Sequence, residues 1–273
     1  MVRGLQTGTE ANFDFQLRVQ LGQVPGVRIF RGLGERETIQ TTATGEDLWR
    51  GNELAAAPTS HLLIPTPALA GELMSIDGES AQDVEGGTGA AAVTIEYLDG
   101  KGDEQSREFA TNGTTVVPLG IPDMSFINDM YVSQLSASNT TGVADGNIFI
   151  HNTSTAGLVY NMIAAGGNKS LVPHRRVPRG KTLALQNWVG SEKSGAKRCI
   201  LRLRADCNND HPSPTPQSGV FLFKSTLMLD GSAIGLPLGY TVPEMCTVKV
   251  SAWASAQPSE AACHWWGYLV DTP

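Results

Sequence analysis

The strongest constraint on this chain is a period of two. Within Gly86–Leu119, Val93, Ile95 and Tyr97 fall on one side of an extended segment while Thr94 and Glu96 fall on the other, because successive strand side chains point to opposite faces of a sheet. Phe13, Phe15, Leu17, Val19 and Leu21, then Val27 and Ile29, repeat that alternation near the N-terminus. Further extended runs cover 127–135, 147–151, 158–164, 182–189, 198–205, 220–229, 247–254 and 265–270, separated by Gly, Asn, Asp and Pro. Short strands punctuated this regularly predict an all-β fold, an antiparallel β-sandwich of jelly-roll type. We expect the sandwich over residues 36–273, preceded by an extended N-terminal arm over 1–35. That arm either adds a strand to its own sheet or docks on a neighbouring chain.

Local signals refine this reading. Thr44-Gly-Glu-Asp47, with Leu48 and Trp49 behind it, has the spacing of a capped helix start and predicts a short helix. Leu62–Ile64, set between prolines, reads as a short strand. Asn112-Gly113 suits a tight hairpin turn with two positive φ angles, which would return Thr114–Val117 beside the preceding strand. His211–Pro216 alternates proline with small residues and reads as a stiff surface loop.

Charge narrows the function. A net charge of −7 lacks the basic stripe that phosphate contacts require, so nucleic acid is not an expected partner. No apolar run approaches the roughly 20 residues that span a bilayer, so no membrane is expected either. The N-terminus has no charged-then-apolar leader pattern, and synthesis in a cytosol follows. The four cysteines, Cys199, Cys207, Cys246 and Cys263, are too widely spaced for a zinc ribbon. They read as buried thiols, with a Cys246–Cys263 disulfide as the alternative.

Chemical motifs are fragmentary. Gly180-Lys181-Thr182 ends like a phosphate loop, but Arg175 stands where its first glycine is needed, so we expect a turn into the next strand and no ATP. Asp99–Asp103 and Asp145–Asn147 carry pieces of a calcium loop without its full ligand series. The first of these runs on to Glu104, and both read as turns, with a structural cation as the alternative. No cofactor, metal or catalytic residue is expected. Three groups are interface candidates: Phe13 and Phe15 of the arm; Arg198, Arg202 and Arg204 on one strand face; and Trp265, Trp266 and Tyr268 near the C-terminus. The arginines, like Arg175, Arg176 and Arg179, suit solvated surface or carboxylates of a partner subunit. Adjacent tryptophans on a strand must face opposite ways, so one packs inward and the other meets a neighbouring sheet, a subunit, a sugar or solvent.

The order of the short motifs adds a resemblance. Gly87–Ala90 (GTGA), Val93–Ile95, Leu98–Gly100 (LDG) and Asn112–Thr115 (NGTT) follow Thr44–Gly51 (TGEDLWRG). They precede Ile127–Val132, Gly146–Ile150 and Val177–Gly180. This series, over about residues 37–273, resembles a module of tailed-bacteriophage virion structural proteins. That family is defined by virion membership and carries no known chemistry. The resemblance implies a non-enzymatic virion protein made in the host bacterial cytoplasm, most simply a head decoration or cement protein stabilising the capsid. Implied partners are further copies of the chain, in a trimer by analogy, and the major capsid protein or other virion proteins. The alternative is a tail- or fibre-associated receptor- or carbohydrate-binding protein, which should expose aromatic rings side by side. A glycan depolymerase would need two carboxylates about 5–10 Å apart in a cleft, and the sequence pairs no acids in that way.

Overall fold

The structure is a computed structural model that describes residues 15–39, 45–51, 54, 63–193, 198–207, 222–230, 233–255 and 259–272. Phe13 and the 211–216 loop lie outside the described residues. Among the described residues the architecture is all-β and antiparallel except over 15–20, where the expected extended arm with its alternating Phe15, Leu17 and Val19 is instead helical. The strands are β1 (Val27–Ile39), β2 (Glu46–Asp47), β3 (Met74–Gly78), β4 (Ala90–Leu98), β5 (Glu104–Ala110), β6 (Val117–Pro118), β7 (Phe126–Leu135), β8 (Ile148–Asn152) and β9 (Thr155–Ile163). They continue as β10 (Arg175–Arg176), β11 (Lys181–Glu192), β12 (Arg198–Asp206), β13 (Phe223–Asp230), β14 (Ala233–Val242), β15 (Thr247–Ala254) and β16 (Ser259–Asp271).

Among the described residues, four sheets enclose two principal cores. The sheet β1-β16-β11-β14 faces the sheet β10-β15-β12-β13, with β2 alongside β15. Leu183, Leu185, Trp188, Leu201, Leu203, Val248, Val250 and Trp265 fill the space between them. The sheets β6-β3-β8-β9 and β5-β4-β7 enclose the second core, which holds Met74, Ile76, Val93, Ile95, Tyr97, Met130 and Ile150. A smaller cluster packs Trp49, Leu54, Ile64 and Val172 against Phe149, Val159 and Met162. Asn128 of β7 ties the two parts together: its side chain donates to the Arg176 carbonyl at 3.1 Å and accepts from the Arg176 amide at 2.8 Å. The first sheet pair is therefore built from both ends of the chain, with β3–β9 between them in sequence.

The alternation reads correctly where it is strongest. Val93, Ile95 and Tyr97 are buried in the second core, and on the opposite face Thr94 is buried too while Glu96 is half-buried. The boundary expected after residue 35 falls inside β1, which pairs with β16 from Val27↔Val270 onward. Residues 27–35 thus belong to the protein's own sheet. β14 carries the sequence AIGLPLGYTV, whose glycines and proline hide it; it is an edge strand, and Pro237 sits beside a bulge in β11, where a missing N–H is tolerated.

Three local expectations are corrected. The helix expected from Thr44 is absent at residues 45–49: Glu46 and Asp47 form β2, paired with Ala252 and Ser251. Buried cations draw both acids inward, as shown below, and that outweighs a local cap. Leu63 and Ile64 are not in a strand, and Leu62 lies outside the described residues. At Asn112-Gly113 only Gly113 has positive φ, at +59°, and the Thr115 amide closes the turn on the Asn112 carbonyl at 3.0 Å. Val117 then pairs with Ile76 of β3 and packs on the second core, so the chain crosses sheets and makes no hairpin with β5.

The cysteines are corrected in part. Cys207 and Cys246 form a disulfide with Cα atoms 4.2 Å apart. Cys263 instead points into the first core as a free thiol, as does Cys199.

The motif residues of the resembling module converge on one buried carboxylate. Asp83 accepts from the amides of Ala90 at 2.8 Å, Asp145 at 2.9 Å and Gly146 at 2.8 Å, while its carbonyl accepts from Gly113 at 2.8 Å. A Cβ on Gly89 would lie 2.1 Å from its Oδ1, so this position excludes any side chain. Asp99 likewise accepts from Lys101 and Asp103 amides at 2.9 and 3.0 Å, closing a turn. These motifs hold loops.

Candidate interaction surface

The C-terminal strand distributes its aromatics by alternation. Trp265 is wholly buried, and its indole N–H donates to the Pro173 carbonyl at 2.9 Å. Gly32 makes room for it, since a Cβ there would approach the indole to 2.4 Å. Trp266 and Tyr268 turn to the outer face of the β1-β16-β11-β14 sheet, their rings 5.6 Å apart and 80° out of plane. Phe15, from the helical segment, meets the Tyr268 ring edge-on at 5.3 Å. A cavity of about 170 Å³ remains between that segment and Ile29, Arg31, His264, Trp266 and Tyr268.

The same face continues beyond the helical segment. Leu33, His264 and Val189 lie in one row across β1, β16 and β11. With Leu171 and Ala262 they line a second, apolar groove of about 270 Å³. Burial, reinforced by the Arg31 charge, holds His264 below its ordinary pKa, so it is neutral near pH 7 and compatible with an apolar surface. One half of the face is thus covered by the chain's own residues 15–20, and the other half is open.

The arginine strand faces the other way. Arg198, Ile200, Arg202 and Arg204 share the outer face of β12, while Cys199, Leu201, Leu203 and Ala205 fill the core. Exposure falls along the row: Arg198 is exposed, Arg202 is half-buried with its guanidinium 4.7 Å from the Trp253 ring, and Arg204 is wholly buried. Ile200 lies between Met228 and Trp253 across the sheet. Sequence reasoning passed over Trp253, although alternation with the inward Val248, Val250 and Ala252 marks it as outward. Of the expected interface residues that are described, Arg198 and Arg202 lie on the outer face of β12, whereas Trp266 and Tyr268, with Phe15 against the latter, lie on that of β16, so they form no single patch. Trp265 and Arg204 are interior residues.

Arg204 is held by a buried charge network. It pairs with Asp47 at 3.2 Å and also donates to Ser251; Asp47 further accepts from the Ile64 amide at 2.9 Å and Ser251 at 2.9 Å. Burial opposes ionisation of Asp47, but the surrounding groups, Arg204 among them, outweigh it and hold the acid below its usual range. His174, beside Asp47 at 3.7 Å, is pushed down to about 3, chiefly by burial, and is neutral. Burial also pushes Lys249 down to about 8. Next to this group Arg36 pairs with Glu46 at 2.7 Å, both wholly buried. Arg175 and Arg176 are interior as well: Arg175 faces Asp129 at 3.4 Å, and Arg176 lies 4.7 Å from the Phe126 ring with its pKa pushed down to about 10 by burial. For Arg175, Arg176 and Arg204 the expectation was solvated surface or carboxylates of a partner subunit. Partners on other strands explain the difference, because a buried cation persists only where acids and carbonyls surround it.

No family model matches this chain, and no curated protein matches it. Among solved structures, the chain is similar to the tandem CBM22 domains of Paenibacillus barcinonensis Xyn10C, at 15% identity over 73% of this chain and 79% of that one, with a TM-score of 0.24. It is similar also to a structure of infectious bursal disease virus, Gt strain, at 8% identity over 91% of this chain and 74% of that one, with a TM-score of 0.23. A third similar structure, the Cry4Aa toxin of Bacillus thuringiensis, has 8% identity over 92% of this chain and 59% of that one, with a TM-score of 0.17.

Proposed function

We propose that this chain is a non-enzymatic structural protein of a tailed-bacteriophage virion, a decoration or cement protein of the head. It acts by surface contact with capsid protein and with further copies of itself. The observation that carries the reading is the half-open apolar face on the β1-β16-β11-β14 sheet. A row of Leu33, His264 and Val189 continues a strip whose other half is already covered by residues 15–20. Burial of such a face is the ordinary drive for protein association. The family resemblance supplies the virion setting, and synthesis in the bacterial cytoplasm goes with it.

The carbohydrate-binding alternative is less well supported. A stacking platform needs open rings side by side, whereas Trp266 and Tyr268 stand edge to face and Arg202 caps Trp253. The test is incorporation into particles. Leu33→Asp with Val189→Glu should leave the melting temperature near that of the parent and prevent the protein from joining heads in a complementation assay. Incorporation of the folded double variant at normal copy number would refute the role of this face. Imaging of intact particles that places the parent protein on tail fibres would refute the head assignment.

A further inference from the structure

Two open sheet edges flank one polar cleft of about 430 Å³. β1 forms one flank; among the described residues it ends its sheet and pairs only with β16. β5 forms the other and ends the β5-β4-β7 sheet. The register decides which backbone groups are free. The Gly26 carbonyl accepts from the Asp271 amide, so bonded pairs recur at every second residue through Arg28↔Leu269 and Phe30↔Gly267. Ile29 and Arg31 therefore turn their N–H and C=O groups away from β16. On β5, the Thr111 amide bonds to Ala91 and the Asp99 amide to Asp103, which makes Tyr97↔Gln105 and Ile95↔Arg107 the bonded pairs. Glu104 and Ser106 turn outward. All four residues line the cleft, and none of these backbone groups has a partner among the described residues.

The side chains add a charge requirement. Arg28 pairs with Glu104 across the cleft, and Asp129 takes Lys169 at 2.7 Å and Arg175 at 3.4 Å. Arg31 is exposed and has no acidic partner among the described residues. We propose that this cleft binds an extended peptide segment of another protein. The segment adds as a strand to the open edges of β1 and β5 and presents an acidic side chain to Arg31. One strand residue fills about 3.4 × 4.8 × 10 Å, roughly 160 Å³, so the cleft holds about two to three residues between its flanks. Main-chain bonds supply the affinity in such strand addition, and the side-chain contacts supply the choice of partner. Charged edge residues such as Arg28, Glu104 and Glu108 disfavour pairing with a second copy's identical edge, which points to a different chain as the occupant. The inference stands apart from the virion assignment and survives its failure.

The test uses fluorescein-labelled heptapeptides that alternate threonine and valine around a central glutamate or lysine, titrated into the isotope-labelled 273-residue chain. Binding of the glutamate peptide should slow amide exchange at Ile29, Arg31, Glu104 and Ser106 at least tenfold. The lysine peptide, or N-methylation of alternate peptide amides, should weaken binding at least tenfold. Arg31→Glu should do the same while Arg31→Lys binds within about threefold of the parent. Ser106→Pro removes an outward N–H without touching the β4–β5 ladder and should also weaken binding. No binding at millimolar peptide, or binding that leaves the four amides unprotected, would overturn the proposal. Protection of those amides in the free protein would overturn it as well, since the chain or a second copy would then already occupy the cleft.

Discussion

His174 should make this protein acid-labile well above the range in which carboxylates titrate. Its imidazole is buried beside Asp47, Arg204 and Lys249, with its Nε2 3.2 Å from the Val250 carbonyl. The folded-state pKa is about 3 against an ordinary 6.5. Between those values the unfolded chain holds a proton that the folded chain refuses, so stability falls as pH is lowered through that window. From pH 8 to pH 5 the loss is RT ln[(1 + 10^1.5)/(1 + 10^−2)], about 2 kcal/mol. The perturbation is His174→Gln, which retains a polar side chain at that position but does not titrate. Urea unfolding followed by tryptophan fluorescence, at pH 8 and pH 5, gives each variant's stability at both values. His151, whose pKa is raised by Asp77 and the Asn152 carbonyl against burial, contributes with the opposite sign, but it is common to both proteins and cancels in the comparison. The parent should lose about 2 kcal/mol more than the variant between the two pH values. Equal losses would show that His174 takes its proton in the folded state and that the buried network is not what excludes it.

Three further outcomes follow from packing. Gly113→Val should destabilise by about 1–3 kcal/mol, because φ is +59° there and a Cβ would lie 3.0 Å from the Ala81 backbone; an unchanged melting temperature would contradict this. Replacing Cys207 and Cys246 together by Ser opens a loop with a sequence separation of 39 and should cost about 4 kcal/mol by chain entropy, measured as a lowered denaturant midpoint that no longer responds to reductant. Glu46→Ala leaves the buried Arg36 guanidinium without its carboxylate and should cost about 3–5 kcal/mol, whereas a loss within 0.5 kcal/mol would mean that Arg36 finds water.

Alternation alone located most of the longer strands and the inward set of β4, because the two faces of one strand are written in neighbouring residues. It also placed Arg198, Arg202 and Arg204 on one face and sent Trp265 and Trp266 to opposite sides. Whether a face is covered depends on chain far away in sequence. Arg204 is interior because Asp47 reaches it from β2, and Tyr268 is sheltered because Phe15 lies over it. The same holds for the cap that became a strand, the turn that crossed sheets, and the Cys207–Cys246 bond. In each, a partner distant in sequence decided the outcome, and for the cap it outweighed a local preference worth about 1 kcal/mol. The open edges of β1 and β5 were the least legible feature, since an edge is defined by the strand that does not pair with it, and only the assembled sheets decide which strand that is.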